Sequence, residues 1–435
     1  MGELIEPRVL KGFRDFLPEK EAERLAIVAM LERVFRLFGF APIDTPVLEY
    51  AEVLLGKGGG ETDKQVYRFT DHGGRDVALR YDLTVPFARF MAAHLGELPL
   101  PFKRWHAAKV WRGENTQRGR YREFVQVDFD TVGTEAASAD LEILLLMRES
   151  FLSLGLGGVK VHYAHRGVFN AFLSRLGLAG KSVEVLRTID KERKVGTEQT
   201  REMLAEVVGM DAAGRILEYA RVEGSAALTR AKLAEAAGSE TPGVKRLGEI
   251  GAALEDLGVA DTFVLDPSIT RGLDYYTGIV YETFLDRLPG IGSVCSGGRY
   301  DDLASLYTSQ RLPGVGASIG LDRLMAAMEE LGDAGKATAG PSVLVLLLEE
   351  GLLAEYHRIG AAFRDAGIPA EVYPEARKLA VQFAYAEKRG IPLAVIAGGD
   401  ERAKGVVNLK DLRTRESFDG LSLEDATARA SALLR

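Results

Sequence analysis

Two arginine-rich segments and a pair of adjacent tyrosines are the residues of this chain best suited to chemistry. Trp111-Arg112-Gly113-Glu114 and Arg120-Tyr121-Arg122-Glu123-Phe124 flank a short polar loop. Arginines on such a hairpin grip a polyphosphate through forked, bidentate hydrogen bonds. Phe124 offers a face to a purine ring. An ordinary charged hairpin has the same composition, so the segment alone leaves both readings open. Arg271-Gly272-Leu273-Asp274-Tyr275-Tyr276-Thr277-Gly278 sets a fixed cation beside aromatic walls and hydroxyl donors. Its glycines let a ligand approach the backbone closely, whereas tyrosines alternating on a strand are equally core or surface fillers. Ser296-Gly297-Gly298-Arg299-Tyr300-Asp301-Asp302-Leu303 reads as a tight turn or as a substrate floor; the Asp-Asp pair points its side chains apart and reads as solvated. Gly314-Val315-Gly316-Ala317-Ser318-Ile319-Gly320 leads into a helix expected to start near Gly320. Its glycine spacing superficially matches a dinucleotide fingerprint, but it lacks the preceding strand of a βαβ unit and the acidic residue that should follow.

Other chemistries are excluded by type and spacing. There is no Walker loop, Gly-x-Ser-x-Gly elbow or His-Glu-x-x-His helix. A single cysteine, Cys295, rules out an internal disulfide and a cysteine-rich zinc site. Only His162 and His165 of the six histidines lie close together, which is too few ligands for a metal, and none is assigned. The net charge of −8 argues against a protein that simply coats nucleic acid. Locally the balance reverses: Lys103, Arg104, Lys109, Arg112, Arg118, Arg120 and Arg122 face only Glu114 and Glu123 within 103–123. The longest apolar runs fall far short of the ~20 residues that span a bilayer. The N-terminus shows no apolar signal core, so a cytoplasmic protein without membrane association is expected.

The elements that must position these residues fall into blocks. Ile27, Met30, Leu31, Val34, Phe35 and Phe38 recur at helical spacing and stop at Gly39. Strand-like runs follow at 65–69, 76–80, 102–112 and 122–132. They predict an antiparallel sheet with helices on one side. Residues 168–259 are rich in Ala, Leu, Glu, Lys and Arg and read as a helical insertion. Extended, glycine-rich sequence returns from 260 to 330, and 331–340 has linker composition. Beyond it, strands at 343–348, 370–373 and 393–396 alternate with helices at 353–366 and 378–388, which argues for a separate α/β domain over 341–435.

Together these segments resemble the class II aminoacyl-tRNA synthetases, and among them the histidyl-tRNA synthetases. Pro46 matches the motif 1 proline. Arg112, Glu114 and Phe124 match motif 2, and Gly320-Leu321-Asp322-Arg323 matches motif 3. The two histidine-specific stretches, at 271–278 and 297–301, occur intact and in order. The resemblance runs from Lys11 to about Leu412. Arg80-Tyr81-Asp82-Leu83-Thr84 departs from the Arg-Pro-Glu-Gly-Thr of many bacterial members, and Asp130 stands where they carry glutamate. The chain is thus more similar to the branch common in eukaryotes and archaea, and the shorter carboxylates require the backbone to sit closer to the ligand.

The resemblance implies an α+β catalytic domain over 1–167 and 260–330, interrupted by the insertion and followed by an α/β anticodon-binding domain. It implies ATP-dependent, AMP-forming ligation of histidine to tRNA(His) through a histidyl-adenylate. Arg112 and Arg271 would hold the α-phosphate from opposite sides, Arg271 standing where most class II relatives use a metal. Phe124 and Arg323 would sandwich the adenine, Glu114 would accept from its amino group, and Arg120 would reach the terminal phosphates. The histidine pocket would comprise Asp82, Leu83, Thr84, Arg112, Gln126, Asp130, Arg271, Tyr275 and Tyr276. Asp82, Thr84 and Gln126 would take the α-ammonium, and Asp130 and Tyr276 the imidazole. Magnesium would accompany ATP, with no ligands named. The loop at 113–119 and the insertion would meet the tRNA acceptor end, and a homodimer through motif 1 is implied. A histidine-sensing regulatory subunit of ATP phosphoribosyltransferase, a stress-sensor module and another class II synthetase are the alternatives. The arginines, the C-terminal domain, the missing kinase signature and the paired tyrosines count against them.

Overall fold

A computed structural model describes residues 4–56, 65–238, 241–269, 275–332 and 340–434, the side chains of 193 and 194 excepted. The chain divides into two compact units, residues 1–15 with 24–335 and residues 16–23 with 336–435.

The first unit is organised by an eight-stranded sheet. Its strands are β1 (Ala41–Pro42), β2 (Phe102–Trp111), β3 (Glu123–Val132), β4 (Val159–His165), β5 (Phe263–Leu265), β6 (Ile279–Leu285), β7 (Cys295–Tyr300) and β8 (Gly314–Gly320). Their order is β1-β2-β3-β8-β7-β6-β4-β5. The six central strands are antiparallel as expected, but the sheet is mixed: β1 joins β2, and β5 joins β4, in parallel. Both parallel strands are short edges, and Pro42 can donate nothing to a ladder.

Alternation along β3 shows why the sheet has two different faces. Val125, Val127 and Phe129 enter the main hydrophobic core, together with Ile27, Leu31, Val34 and Phe35 of helix α1 (Pro18–Leu37). Ile143, Leu144, Met147 and Phe151 of a helix at Ala137–Ser153 complete that side. Phe124, Gln126, Asp128 and Asp130 necessarily take the opposite face. The register then lines up a transverse row of polar residues, one per strand: His106, Asp128, Ser318, Ser296, Glu282 and His162. A polar row across the sheet interior is costly unless it serves a wet site.

Two smaller features frame that face. Leu48–Tyr50, Asp76–Leu79 and Arg68–Thr70 form a separate three-stranded sheet, and a helix at Thr84–Ala93 follows it. The strand expected at 65–69 is therefore Arg68–Thr70. The insertion is helical, as composition suggested: its helices begin at Arg166–Arg175 and end at Pro242–Asp256. The first starts two residues before the expected boundary because the His165 side chain caps it, accepting from Gly167 N. Thr241 caps the last, with Pro242 in its first turn.

The second unit contains a five-stranded sheet in the order Ala370–Val372, Val343–Val345, Leu393–Ile396, Val407–Asp411, Ser417–Leu421. The first three strands are parallel and separated in sequence by helices, matching the α/β expectation. The closing antiparallel hairpin and the helix Leu423–Leu433 were not anticipated; Ser417–Leu421 reads SFDGL and has no buried face to reveal it. Gln382 is fully buried and ties its helix to the sheet, accepting from Leu347 N and donating to Leu347 O.

Candidate active site

The polar face of the large sheet forms the floor of a cavity of about 730 Å³. Its walls come from the hairpin between β2 and β3, the segment before the helix at Thr84–Ala93, the loop before β6, and the start of α2 (Leu321–Leu331).

At one end sit Arg112, Glu114, Arg120, Phe124 and Arg323, all lining the cavity. Backbone pairing of β2 with β3 continues past the strands, where Arg112 N donates to Arg122 O at 2.9 Å. This sets Arg112 and Phe124 side by side, and the Arg112 guanidinium lies 5.2 Å from the Phe124 ring centroid. Arg112 Nε is anchored on Tyr81 O at 2.9 Å. Glu114 stands between Arg112 and Arg120, 3.9 Å from each. Such long, half-exposed ion pairs are worth little and separate easily when a stronger anion arrives. Arg323 donates to Ser293 O at 2.6 Å. Gly119 approaches it so closely that a Cβ there would lie 3.2 Å from Arg323 Cα, and its φ of +68° also favours glycine. Asp322 braces this end: it accepts from Val125 N at 2.7 Å and pairs with Arg14, whose guanidinium sits 3.7 Å from the Tyr121 ring centroid.

At the other end the cavity is lined by Asp82, Thr84, Gln126, Tyr275 and Tyr276. Asp82 is buried and accepts from Val85 N at 3.1 Å; Tyr275 Oη lies 3.5 Å from its other oxygen. Burial pushes the Asp82 carboxyl up to about 6, against the pull of the Val85 amide, Arg112 and Arg104. Gln126 donates to Ser318 Oγ at 2.7 Å. The two tyrosines lie in a loop, not on a strand, with ring centroids 5.0 Å apart and edge to face. Burial raises both phenols well above their ordinary range, so both hydroxyls remain donors at neutral pH.

Two expected residues are not in the wall. Leu83 is buried in the core, and its carbonyl accepts from Arg104 at 3.3 Å. Asp130 lies one layer behind. Tyr300 Oη donates to it at 2.6 Å, and Arg104, itself fully buried, pairs with it at 2.6 Å. Strand spacing explains this: Gln126 is the last residue of β3 in the wall, and Asp130 lies four positions further along the same face, beyond the cavity's edge. Arg271 lies outside the described residues. Gly297 lies on β7 and lines the cavity, so the segment is a floor and not a tight turn. A Cβ at 316 would lie 2.1 Å from Asp130 Oδ1, and one at 297 would lie 2.1 Å from Gly316 O, so close packing between strands demands both glycines.

Sequence reasoning missed Gln65, Asp190, Glu282 and Ser318, which also line the cavity, and named Ser296 only within the stretch read as a turn or a floor and Asn115 only within the loop at 113–119. Ser318 and Glu282 arrive through strand register, and Asp190 comes from the insertion; no local motif signals them. Among the described residues no group of three or more His, Cys, Asp or Glu side chains gathers as a metal site.

A mostly antiparallel sheet backed by helices, with a cleft lined by motif arginines, and a separate α/β unit after it, defines a class II aminoacyl-tRNA synthetase. Comparison with known proteins narrows the class. The histidyl-tRNA synthetase family profile matches residues 12–324, and an anticodon binding domain profile matches residues 342–432. The histidine–tRNA ligase of Treponema denticola is 47% identical, with 99% of each chain covered. A crystal structure of histidyl-tRNA synthetase from Nostoc sp. PCC 7120 superposes with a TM-score of 0.87 at 31% identity, covering 99% of this chain and 100% of that one. A Bacillus halodurans structure described as an ATP phosphoribosyltransferase regulatory subunit/histidyl-tRNA synthetase is more distant, with a TM-score of 0.75 at 25% identity, covering 89% and 97%. The chain belongs to the histidyl-tRNA synthetase family.

Proposed function

We propose that the chain catalyses ATP + L-histidine + tRNA(His) → L-histidyl-tRNA(His) + AMP + diphosphate, through a histidyl-adenylate. The observation that carries this reading is that one cavity holds two chemically distinct ends, arginines with Phe124 at one and buried hydrogen-bonding groups at the other. A nucleotide fits the first and a small zwitterion with a polar side chain fits the second.

In the first step a carboxylate oxygen of histidine attacks the α-phosphorus of ATP, and the bond to the bridging oxygen of pyrophosphate breaks. Protein groups make no covalent bond in this scheme; they position and stabilise charge. Arg112 takes the α-phosphate, its Nε anchor on Tyr81 O leaving the terminal nitrogens to the ligand. Arg271 is assigned to the opposite side of the same phosphorus. Phe124 and Arg323 take the adenine, Glu114 its amino group, and Arg120 the outer phosphates. Asp82, Thr84 and Gln126 take the α-ammonium, and Tyr275 and Tyr276 flank the imidazole, with Asp130 supporting from behind. Leu83 contributes backbone only. Magnesium enters bound to ATP as part of the substrate, and no residue is assigned to it. In the second step a ribose hydroxyl of the tRNA terminus attacks the acyl carbon and AMP leaves.

The domain assignment belongs to the same reading: catalytic core over 1–167 and 260–330, insertion over 168–259, linker over 331–340 and anticodon-binding domain over 341–435. Unstacked anticodon bases suit that last domain, because single-stranded bases can be read one by one. A homodimer through the motif 1 region fits the exposed Val47, Leu48, Tyr50 and Phe69. A cytoplasmic setting fits the lack, among the described residues, of any helix long and apolar enough to cross a membrane.

ATP–pyrophosphate exchange tests the reading. Exchange should depend on histidine and be at least about 10⁴-fold weaker with apolar isosteres, whose binding strands the buried polar groups. A folded sample that exchanges with another amino acid better than with histidine overturns it. No exchange at all would favour a histidine-sensing regulatory subunit.

A further inference from the structure

The loop carrying Tyr275 and Tyr276 is held from outside the cavity, and its supports lead into the insertion. Thr277 N donates to Arg299 O at 2.8 Å, and Thr277 Oγ1 donates to Asp301 at 2.7 Å. Arg166, the first residue of the insertion's first helix, donates from its side chain to Tyr276 O at 3.3 Å and from its backbone to Gly278 O at 2.8 Å. The Arg299 side chain turns away from the cavity and grips Asp140 with two nitrogens, at 2.9 and 2.6 Å. Asp140 is buried on the helix Ala137–Ser153, and its second oxygen is taken by Arg246. Arg246 sits on the insertion's last helix, Pro242–Asp256, and also donates to Glu135 O at 2.7 Å. That helix packs tightly where the first one starts: a Cβ at Gly243 would lie 2.7 Å from the ring of His165, the cap of the first helix.

We propose that Arg246 is a positioning residue for the amino-acid end of the cavity, acting through Asp140 and Arg299 on the tyrosine loop. This rests on the function proposed above. Two arginines from different elements share one buried carboxylate, one oxygen each, which fixes the direction of both. Arg299 can therefore present its carbonyl to Thr277 in only one place. Losing Arg246 frees one Asp140 oxygen, so that the carboxylate can turn and shift the Arg299 guanidinium, held otherwise on Thr134 O at 2.9 Å and Asp301 at 3.5 Å, and the loop loosens at Thr277. The hairpin end at 111–124, which bears the nucleotide residues, makes none of these contacts; they reach its strand β3 only past the far end, at Thr134 O and Glu135 O. A buried ion pair by itself is weak evidence for stability, so the consequence to look for is geometric.

The test compares Arg246→Met with Arg246→Lys, in ATP–pyrophosphate exchange and in hydrogen exchange. Arg246 is partly exposed, and Arg299 still pairs with Asp140, so the Met variant should fold. Its KM for histidine should rise roughly tenfold, as a misplaced site demands, while its KM for ATP stays within about twofold. The Lys variant, which keeps the charge, should recover most of the loss. Amide exchange at 275–278 should quicken in the Met variant and not in the Lys variant. Equal rises in both KM values, or a histidine KM unchanged while only thermal stability falls, would overturn the proposal. If the parent protein showed no histidine-dependent exchange, the functional reading would fall instead. The amide exchange at 275–278 would still decide whether Arg246 holds the loop.

Discussion

The two ends of the cavity are built on opposite physical plans. The nucleotide end consists of half-exposed guanidinium groups held at arm's length by Glu114, on a hairpin and a helix start. Guanidinium is a permanent cation, so this end needs no burial to stay charged. The amino-acid end consists of a buried carboxyl, a buried amide and two half-buried phenols, backed by the fully buried Arg104 and by Asp128 and Asp130. Burial there shifts ionisation: Asp82 rises to about 6 and Asp128 to about 7. The contrast suits the ligands. A polyphosphate brings its own charge and needs only clamps, whereas selecting one small amino acid requires that every wrong ligand leave a buried group unpaired.

The largest expected effect breaks the clamp. Arg112→Ala should lower kcat for ATP–pyrophosphate exchange by about 10²- to 10³-fold, the usual loss when a preorganised charge donor is removed. Thermal unfolding should barely change, because among the described residues the Arg112 side chain donates a single hydrogen bond, to Tyr81 O, and its ion pair with Glu114 is long. Next, Asp82→Asn should lower kcat/KM for histidine by about 10- to 100-fold, since it removes a charge-assisted hydrogen bond, and leave KM for ATP unchanged. The same variant carries a pH signature. The Asp82 carboxyl titrates near 6 in the folded protein, above its ordinary value, so it is ionised above that pH and loses its charge below it. Affinity for the α-ammonium should therefore fall as pH drops through about 6, beyond what the ligand's own imidazole titration explains. Asp82→Asn should lack that additional limb in a pH series of initial rates. Phe124→Ala should raise KM for ATP about tenfold, the worth of one aromatic face, with KM for histidine unmoved. The smallest effect on activity is expected from Tyr300→Phe. It strands Asp130 Oδ1 behind the wall, so a denaturant titration should show a loss of about 1–3 kcal/mol while both KM values stay near the parent's.

How much of this was legible follows the same division. The nucleotide end is local in sequence: Arg112, Glu114, Arg120 and Phe124 share one hairpin, so their spacing offers a candidate that the resemblance to motif 2 singles out. The amino-acid end is assembled by register. Ser318 and Ser296 reach the cavity because β8 and β7 pair with a particular offset, which no period in the sequence reveals. Asp130 carried the right chemistry, but its depth along β3 is set by where the cavity ends. Gly316 carried no signal beyond a rejected nucleotide fingerprint, and its role is to leave space for Asp130. The parallel edge strands were hidden because two or three residues are too few to show alternation. In the second unit, runs such as Val343–Val345 are buried on both faces and read clearly, whereas the final hairpin is half-exposed and does not.

The most direct test is whether the two ends serve one catalytic event. A non-hydrolysable sulfamoyl analogue of histidyl-adenylate spans both. It should inhibit ATP–pyrophosphate exchange competitively against histidine and competitively against ATP, and bind at least about 10²-fold more tightly than either substrate. Inhibition competitive with only one of them, or no tighter than that substrate alone, would contradict a single cavity that joins histidine to ATP.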